Sequence, residues 1–133
     1  VRGSQGDALE TSWTIQEKAA QRGFDWSDIS GVFAKVREEI GEIERALASG
    51  DSDSAKQELG DLLFATVNLA RFLDADPEAE LHRANARFTN RFDLLDEELY
   101  RVGRIMETCT LEELDEVWER VKERLRGARA SES

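Results

Sequence analysis

Apolar residues along this chain recur at three- and four-residue intervals, in runs separated by short breaks of Gly, Asp and Ser. That period belongs to helices with one buried side, and it predicts four or five of them. The first covers residues 8–22, ALETSWTIQEKAAQR, with Leu9, Trp13 and Ala20 on one side, and GFDWSD breaks it. Within the break Trp26 is expected to anchor the turn by burial, the usual service of a large aromatic. A second helix starts near Ser30 and carries Val36, Ile40, Ile43 and Leu47 as its stripe. The polar run GDSDSA then reverses the chain. The third helix, about Ser54 to Leu73, is apolar around most of its circumference through Leu59, Leu62, Leu63, Phe64, Val67, Leu69 and Phe72. Such a helix is expected to be buried at the centre of the fold.

Asp76 and Pro77 have the chemistry of an N-cap and a first helical residue, so a fourth helix is expected over Pro77 to Val102. Its stripe is Leu81, Ala84, Phe88, Phe92, Leu95 and Leu99, and Gly103 ends it. Thr110 to Glu113 forms a capping box ahead of a last helix with Leu111, Leu114, Trp118, Val121 and Leu125. After Arg126 the chain turns small and polar, so residues 127–133 are read as a flexible tail. The VRGS start, without Met, reads as an expression scar or a trimmed end, and residues 1–8 are set apart as flexible. The fold class is all-α, four to five helices around a bundle core.

Composition narrows the partners. With 133 residues the chain is expected to make one domain with a real core. A net charge of −11 argues against nucleic acid, whose phosphates need a basic footprint. A phosphorylated small molecule stays open, because bound metal inverts the local field. Cys109 is the single cysteine, which excludes an internal disulfide and suits a reducing cytoplasm. No run approaches the ~18 apolar residues of a membrane span.

The candidate chemistry lies in Lys35 to Asn68. Glu39 with Glu42, and Glu58 with Asp61, form two acidic pairs three residues apart, so each pair shares a helix face. Folding the two helices together gathers four carboxylates, which repel one another unless a cation sits among them. Oxygen ligands without His or Cys nearby favour Mg²⁺ or Mn²⁺ over zinc. The plainer reading is two solvated acidic faces. Glu38 falls in the same polar arc as Glu39 and Glu42, whereas Glu44 lies across the apolar stripe and should be ordinary surface.

These residues carry a resemblance. EExxE at 38–42 followed by ExxD at 58–61, with QELGDLLFATVNLAR at 57–71, GFDW at 23–26 and RANARFTNRF at 83–92, resembles the MazG family of nucleoside triphosphate pyrophosphohydrolases. The similarity runs from about Leu9 to Lys122, within a domain set at 9–126. It implies hydrolysis of a nucleoside triphosphate between the α and β phosphates, giving a monophosphate and pyrophosphate. Glu39, Glu42, Glu58 and Asp61 would hold Mg²⁺, with Mn²⁺ able to substitute, and Glu38 would be the general base. Lys35, Arg87 and Arg91, with Asn85 close by, would contact phosphates; the two arginines could equally be surface residues paired with acids. Trp118 could cover a base or pack the core, and its place on the apolar stripe favours packing. The family also implies a homodimer or homotetramer in the cytoplasm.

One departure stands out: some relatives carry a lysine four residues before the ExxD glutamate, where this chain has Ser54. A narrower substrate within the superfamily, such as dUTP or phosphoribosyl-ATP, and a non-catalytic acidic interaction module are the competing readings. House-cleaning of damaged nucleotides and stringent-response control would use the same site.

Overall fold

A computed structural model describes residues 7–132, with side chains through residue 128. Five α-helices account for most of it: α1 Ala8–Gln21, α2 Ile29–Ala48, α3 Ser52–Phe72, α4 Pro77–Arg101 and α5 Leu111–Glu132. A single 3₁₀ turn, Met106–Thr108, precedes α5, and no strand occurs among the described residues. The expected leader lies outside the described residues as far as Gly6. Asp7 caps α1 through a bond from the Leu9 N–H, and Ala8 opens the helix. At the other end α5 continues beyond Arg126 to Glu132, where the sequence suggested a flexible tail. None of the described helices is long and apolar enough to cross a membrane.

The helix starts follow from local hydrogen-bond chemistry. Asp28 caps α2 by accepting from the Ser30 N–H at 2.9 Å and from its hydroxyl. Asp51 caps α3 in the same way, from the Ser54 N–H at 3.1 Å and its hydroxyl at 2.7 Å. These bonds favour the ionised forms, so both carboxyls are held below the usual range, by the Ser30 and Ser54 hydroxyls first. Asp76 accepts from the Glu78 N–H at 3.0 Å ahead of Pro77. Thr110 and Glu113 exchange bonds of 2.8 and 3.1 Å as a reciprocal capping box.

The chain divides into two compact units at Glu80/Leu81. In the first, α1 and α2 pack against α3 around Val32, Ala55, Ala65 and Val67. Gly50 stands between α2 and α3 at φ 73°, left-handed backbone that a side chain strains, which lets the hairpin turn tightly. In the second unit Leu95, Leu99 and Val117 form the core, with Met106, Cys109, Leu114 and Trp118 packed onto it. Leu99 is 1% exposed, and its burial alone is worth roughly 2 kcal/mol.

Three expectations about burial need correction. The third helix is not buried all round: Leu59 and Leu63 are 49% and 55% exposed. On α2, Ile40 and Leu47 of the expected stripe are also exposed, while Val32 and Glu39 are buried. The apolar band is wider than a single partner helix can cover, so one edge of it stays outside. Trp26 is likewise not a buried anchor but 42% exposed. Its ring lies so close over Gly31 that a Cβ there would meet Trp26 Cε3 at 2.8 Å.

Candidate active site

The α2–α3 hairpin brings the acidic pairs together. Glu39, Glu58 and Asp61 each offer one carboxylate oxygen, and these oxygens lie within 4.8 Å of one another. Glu39 is 96% buried, being 4% exposed, although it is a carboxylate. Its Oε1 meets Lys35 Nζ at 3.1 Å, and its Oε2 is buried with no hydrogen-bond donor. A buried acceptor left unpaired costs about 1–3 kcal/mol, more when charged. Glu58 is the group that adapts. Its hydrogen bond to Glu39, with desolvation and the charges of Glu39, Asp61 and Glu42, pushes its carboxyl up to about 7. Glu39 moves the other way, held low by Glu58 and then by Lys35. The two carboxyls thus shift in opposite directions as an interacting pair.

The donor set fits a hard divalent cation: oxygens only and closely spaced, from residues that include Glu39, one of whose oxygens is buried without a partner. Glu42 stands outside this trio. It is half-buried and pairs with Arg45 at 2.8 Å. Glu38 is exposed and meets Lys35 at 3.2 Å. Lys35 therefore bridges Glu38 and Glu39, and those bonds raise its pKa, Glu39 contributing most. Glu44 is exposed, as ordinary surface should be. Ser54, at the position where some relatives carry lysine, is taken up in capping α3.

Asn85, Arg87, Arg91 and Trp118 belong to the second unit. Asn85 and Arg87 are exposed and Arg91 is half-buried. Trp118 packs onto the Leu95–Leu99–Val117 core and against Phe88, ring centroids 5.5 Å apart. The expectation of core packing is met.

Beside the carboxylates, the first unit holds a cavity of about 620 Å³ lined by Lys35, Glu39 and Asp61 and by Phe24, Trp26 and Phe64. Two of its lining residues escaped the sequence reading. Gln16 is 5% exposed, and its Nε2 donates to the Phe64 carbonyl at 2.8 Å. It lies on the Leu9–Trp13–Ala20 side of α1, and a polar residue inside an apolar stripe was the available signal. Arg71 has a side chain 8% exposed and binds Asp25 at 2.8 Å and Glu17 at 3.1 Å. It also holds Asn68 Oδ1. Arg71 continues the polar strip of Glu58, Asp61 and Asn68 on α3, and its acidic partners sit on α1 and in the GFDW turn.

Comparison with known proteins identifies a family. Residues 28–99, more than half of the chain, match the model described as the MazG nucleotide pyrophosphohydrolase domain. The nucleoside triphosphate pyrophosphohydrolase/pyrophosphatase MazG of Thermotoga maritima is 44% identical over 115 residues, covering 86% of this chain and 44% of that protein. The nucleoside triphosphate pyrophosphohydrolase of Escherichia coli K12 is 42% identical over 117 residues, with the same two coverages. Protein YabN of Bacillus subtilis, described as uncharacterized, is 40% identical over 68 residues, 51% of this chain and 14% of its own length. The chain thus spans less than half the length of the first two.

Proposed function

Because the chain belongs to the MazG nucleotide pyrophosphohydrolase family, we propose that it hydrolyses nucleoside triphosphates at the α–β bond, releasing a monophosphate and pyrophosphate. The observation that carries this reading is the buried Glu39, whose Oε2 lacks a donor within reach of Glu58 and Asp61. Glu39, Glu58 and Asp61 would hold Mg²⁺, or Mn²⁺ in its place, and Glu42 would join them by releasing Arg45. When bound, the metal offsets triphosphate charge and lowers the pKa of a coordinated water. Glu38, exposed beside this trio, accepts the proton of the attacking water. Lys35 exchanges its carboxylate partners for phosphate oxygens. The family resemblance is the ground for proposing Asn85, Arg87 and Arg91, on the second unit, as phosphate-binding residues as well. The exposed Ile40, Leu47, Leu59 and Leu63 are the face through which the chain forms a homodimer or a tetramer of paired dimers.

The test is pyrophosphate release from a panel of ribo- and deoxynucleoside triphosphates with Mg²⁺ and then Mn²⁺. Wild type and Glu44→Gln release pyrophosphate and monophosphate in equal amounts, and Glu39→Gln does not. Orthophosphate instead would assign the wrong bond. Silence across the panel from a folded protein would leave an acidic binding module.

A further inference from the structure

The cavity beside the carboxylates has two kinds of lining. Lys35, Glu39 and Asp61 give it charge, while Ile15, Phe24, Trp26 and Phe64 give it apolar and aromatic surface. Its volume of about 620 Å³ lies within the range of small-molecule sites, which are mostly apolar with a few placed polar groups. Two of those polar groups are amides whose orientation is set by the protein.

Gln16 donates from Nε2 to the Phe64 carbonyl at 2.8 Å, whereas its Oε1 is buried without a partner. Turning the amide over would set Oε1 against the Phe64 carbonyl, acceptor against acceptor. The Phe64 bond therefore fixes which end of the amide is the acceptor, and Gln16 keeps Oε1 as an acceptor with its lone pairs unused. Asn68 is arranged the opposite way. Its Oδ1 takes both Nε and Nη2 of Arg71, at 3.1 and 2.8 Å, so its NH₂ is the group left to donate. Arg71 is itself tied to Asp25, whose Oδ1 also accepts from the Trp26 N–H at 2.9 Å. One buried cation thus sets both the amide of Asn68 and the turn that carries Trp26.

Resting on the triphosphatase reading above, we infer that this cavity takes the nucleobase and that Gln16 is its specificity-determining residue, accepting a hydrogen bond from a base N–H. An acceptor closed off without a donor is unfavourable, and a base amine or ring imino group relieves it. A site built around such a bond discriminates against an analogue that lacks the N–H far better than an apolar pocket does. Asn68 donates to a neighbouring base acceptor, and the aromatic surface covers the ring face. The phosphates then extend toward Lys35 and the carboxylates.

The experiment compares, for the base that ranks first in the panel, the parent triphosphate with the analogue whose N–H is removed. Purine replaces adenine, 2-pyrimidinone replaces cytosine, and the N-methyl forms serve for uracil and guanine. Wild type favours the parent by about tenfold or more in kcat/KM, the worth of one well-made hydrogen bond. In Gln16→Met, which keeps the side-chain length and removes the acceptor, the ratio falls to about one. Equal rates for both members in wild type would overturn the inference whether or not the variant folds. An unchanged ratio in Gln16→Met would do the same. A preference that follows 2′- or 3′-deoxygenation instead of the base N–H would assign Oε1 to the sugar, against this proposal. Binding of the free nucleosides, followed by tryptophan fluorescence without metal, separates the two levels. Parent-selective binding without any hydrolysis keeps the base site and removes the triphosphatase reading. Hydrolysis with no selectivity does the reverse.

Discussion

Glu39 on α2 and Glu58 on α3 bring carboxylate oxygens within 4.8 Å of each other across the hairpin, one group held low and the other pushed up to about 7. Two acidic side chains are stable in that arrangement only while a proton stays between them or a cation replaces it. The pair therefore links protonation, metal binding and folding at a single point.

Stability of the metal-free protein should fall as pH rises through this window. Glu58 has an ordinary value of 4.5 and is raised to about 7 in the folded state, so the folded chain holds more protons in between. The contribution is fully present below 4.5 and is lost as pH passes about 7. Melting temperature against pH, in EDTA and then in Mg²⁺, checks this. Mg²⁺ should flatten the decline, and Glu58→Gln should remove it in EDTA. A melting temperature that climbs with pH across this range in EDTA would contradict the raised Glu58.

Arg71 ties α1 and the GFDW turn to α3 through Glu17 and Asp25. Arg71→Met should destabilise the protein by about 2 kcal/mol, less than the ~3–5 kcal/mol of a fully buried pair, because both carboxylates keep some water. Urea denaturation measures the loss. Trp26 emission should shift in the same variant, since Asp25 also holds the Trp26 N–H.

The second unit depends on one side chain more than any other. Leu99→Ala should cost about 2–5 kcal/mol, the range for emptying a packed core site. Leu111→Ala, at a position 78% exposed, should stay within about 0.5 kcal/mol of wild type. Thermal melts of the two variants side by side decide whether the small core is real.

Leu59 and Leu63 are half exposed on α3. The proposed assembly through this face predicts an oligomeric wild type by light scattering and a monomer when both are replaced with Glu, while circular dichroism keeps its helical signal. A monomeric wild type would remove the assembly from the proposed function.

Much of the fold was legible in the order of residues. Caps at Asp28, Asp51, Asp76 and Thr110 act within two or three residues of themselves, so local chemistry set the helix starts to within a few positions. Glu39, Glu58 and Asp61 could be paired in advance because spacing on two helices and one short turn left few ways to fold them. Burial was harder to read. The stripe of Ile40 and Leu47 has the helical period, yet period reports that a face is apolar and not which neighbour covers it.

Sequence alone determined the helical class, the hairpin and the oxygen-only acidic cluster, since these follow from periodicity, capping and ligand type over short stretches. Tertiary structure decided that Glu39 is buried with an unpartnered oxygen, that Glu42 pairs with Arg45 outside the trio, and that Trp26 lines a cavity. It also chose Gln16 and Arg71, whose partners at Phe64, Glu17 and Asp25 are about fifty residues away in sequence. Contacts at that separation depend on how helices dock, and docking is fixed by packing and hydrogen-bond satisfaction summed over the whole unit.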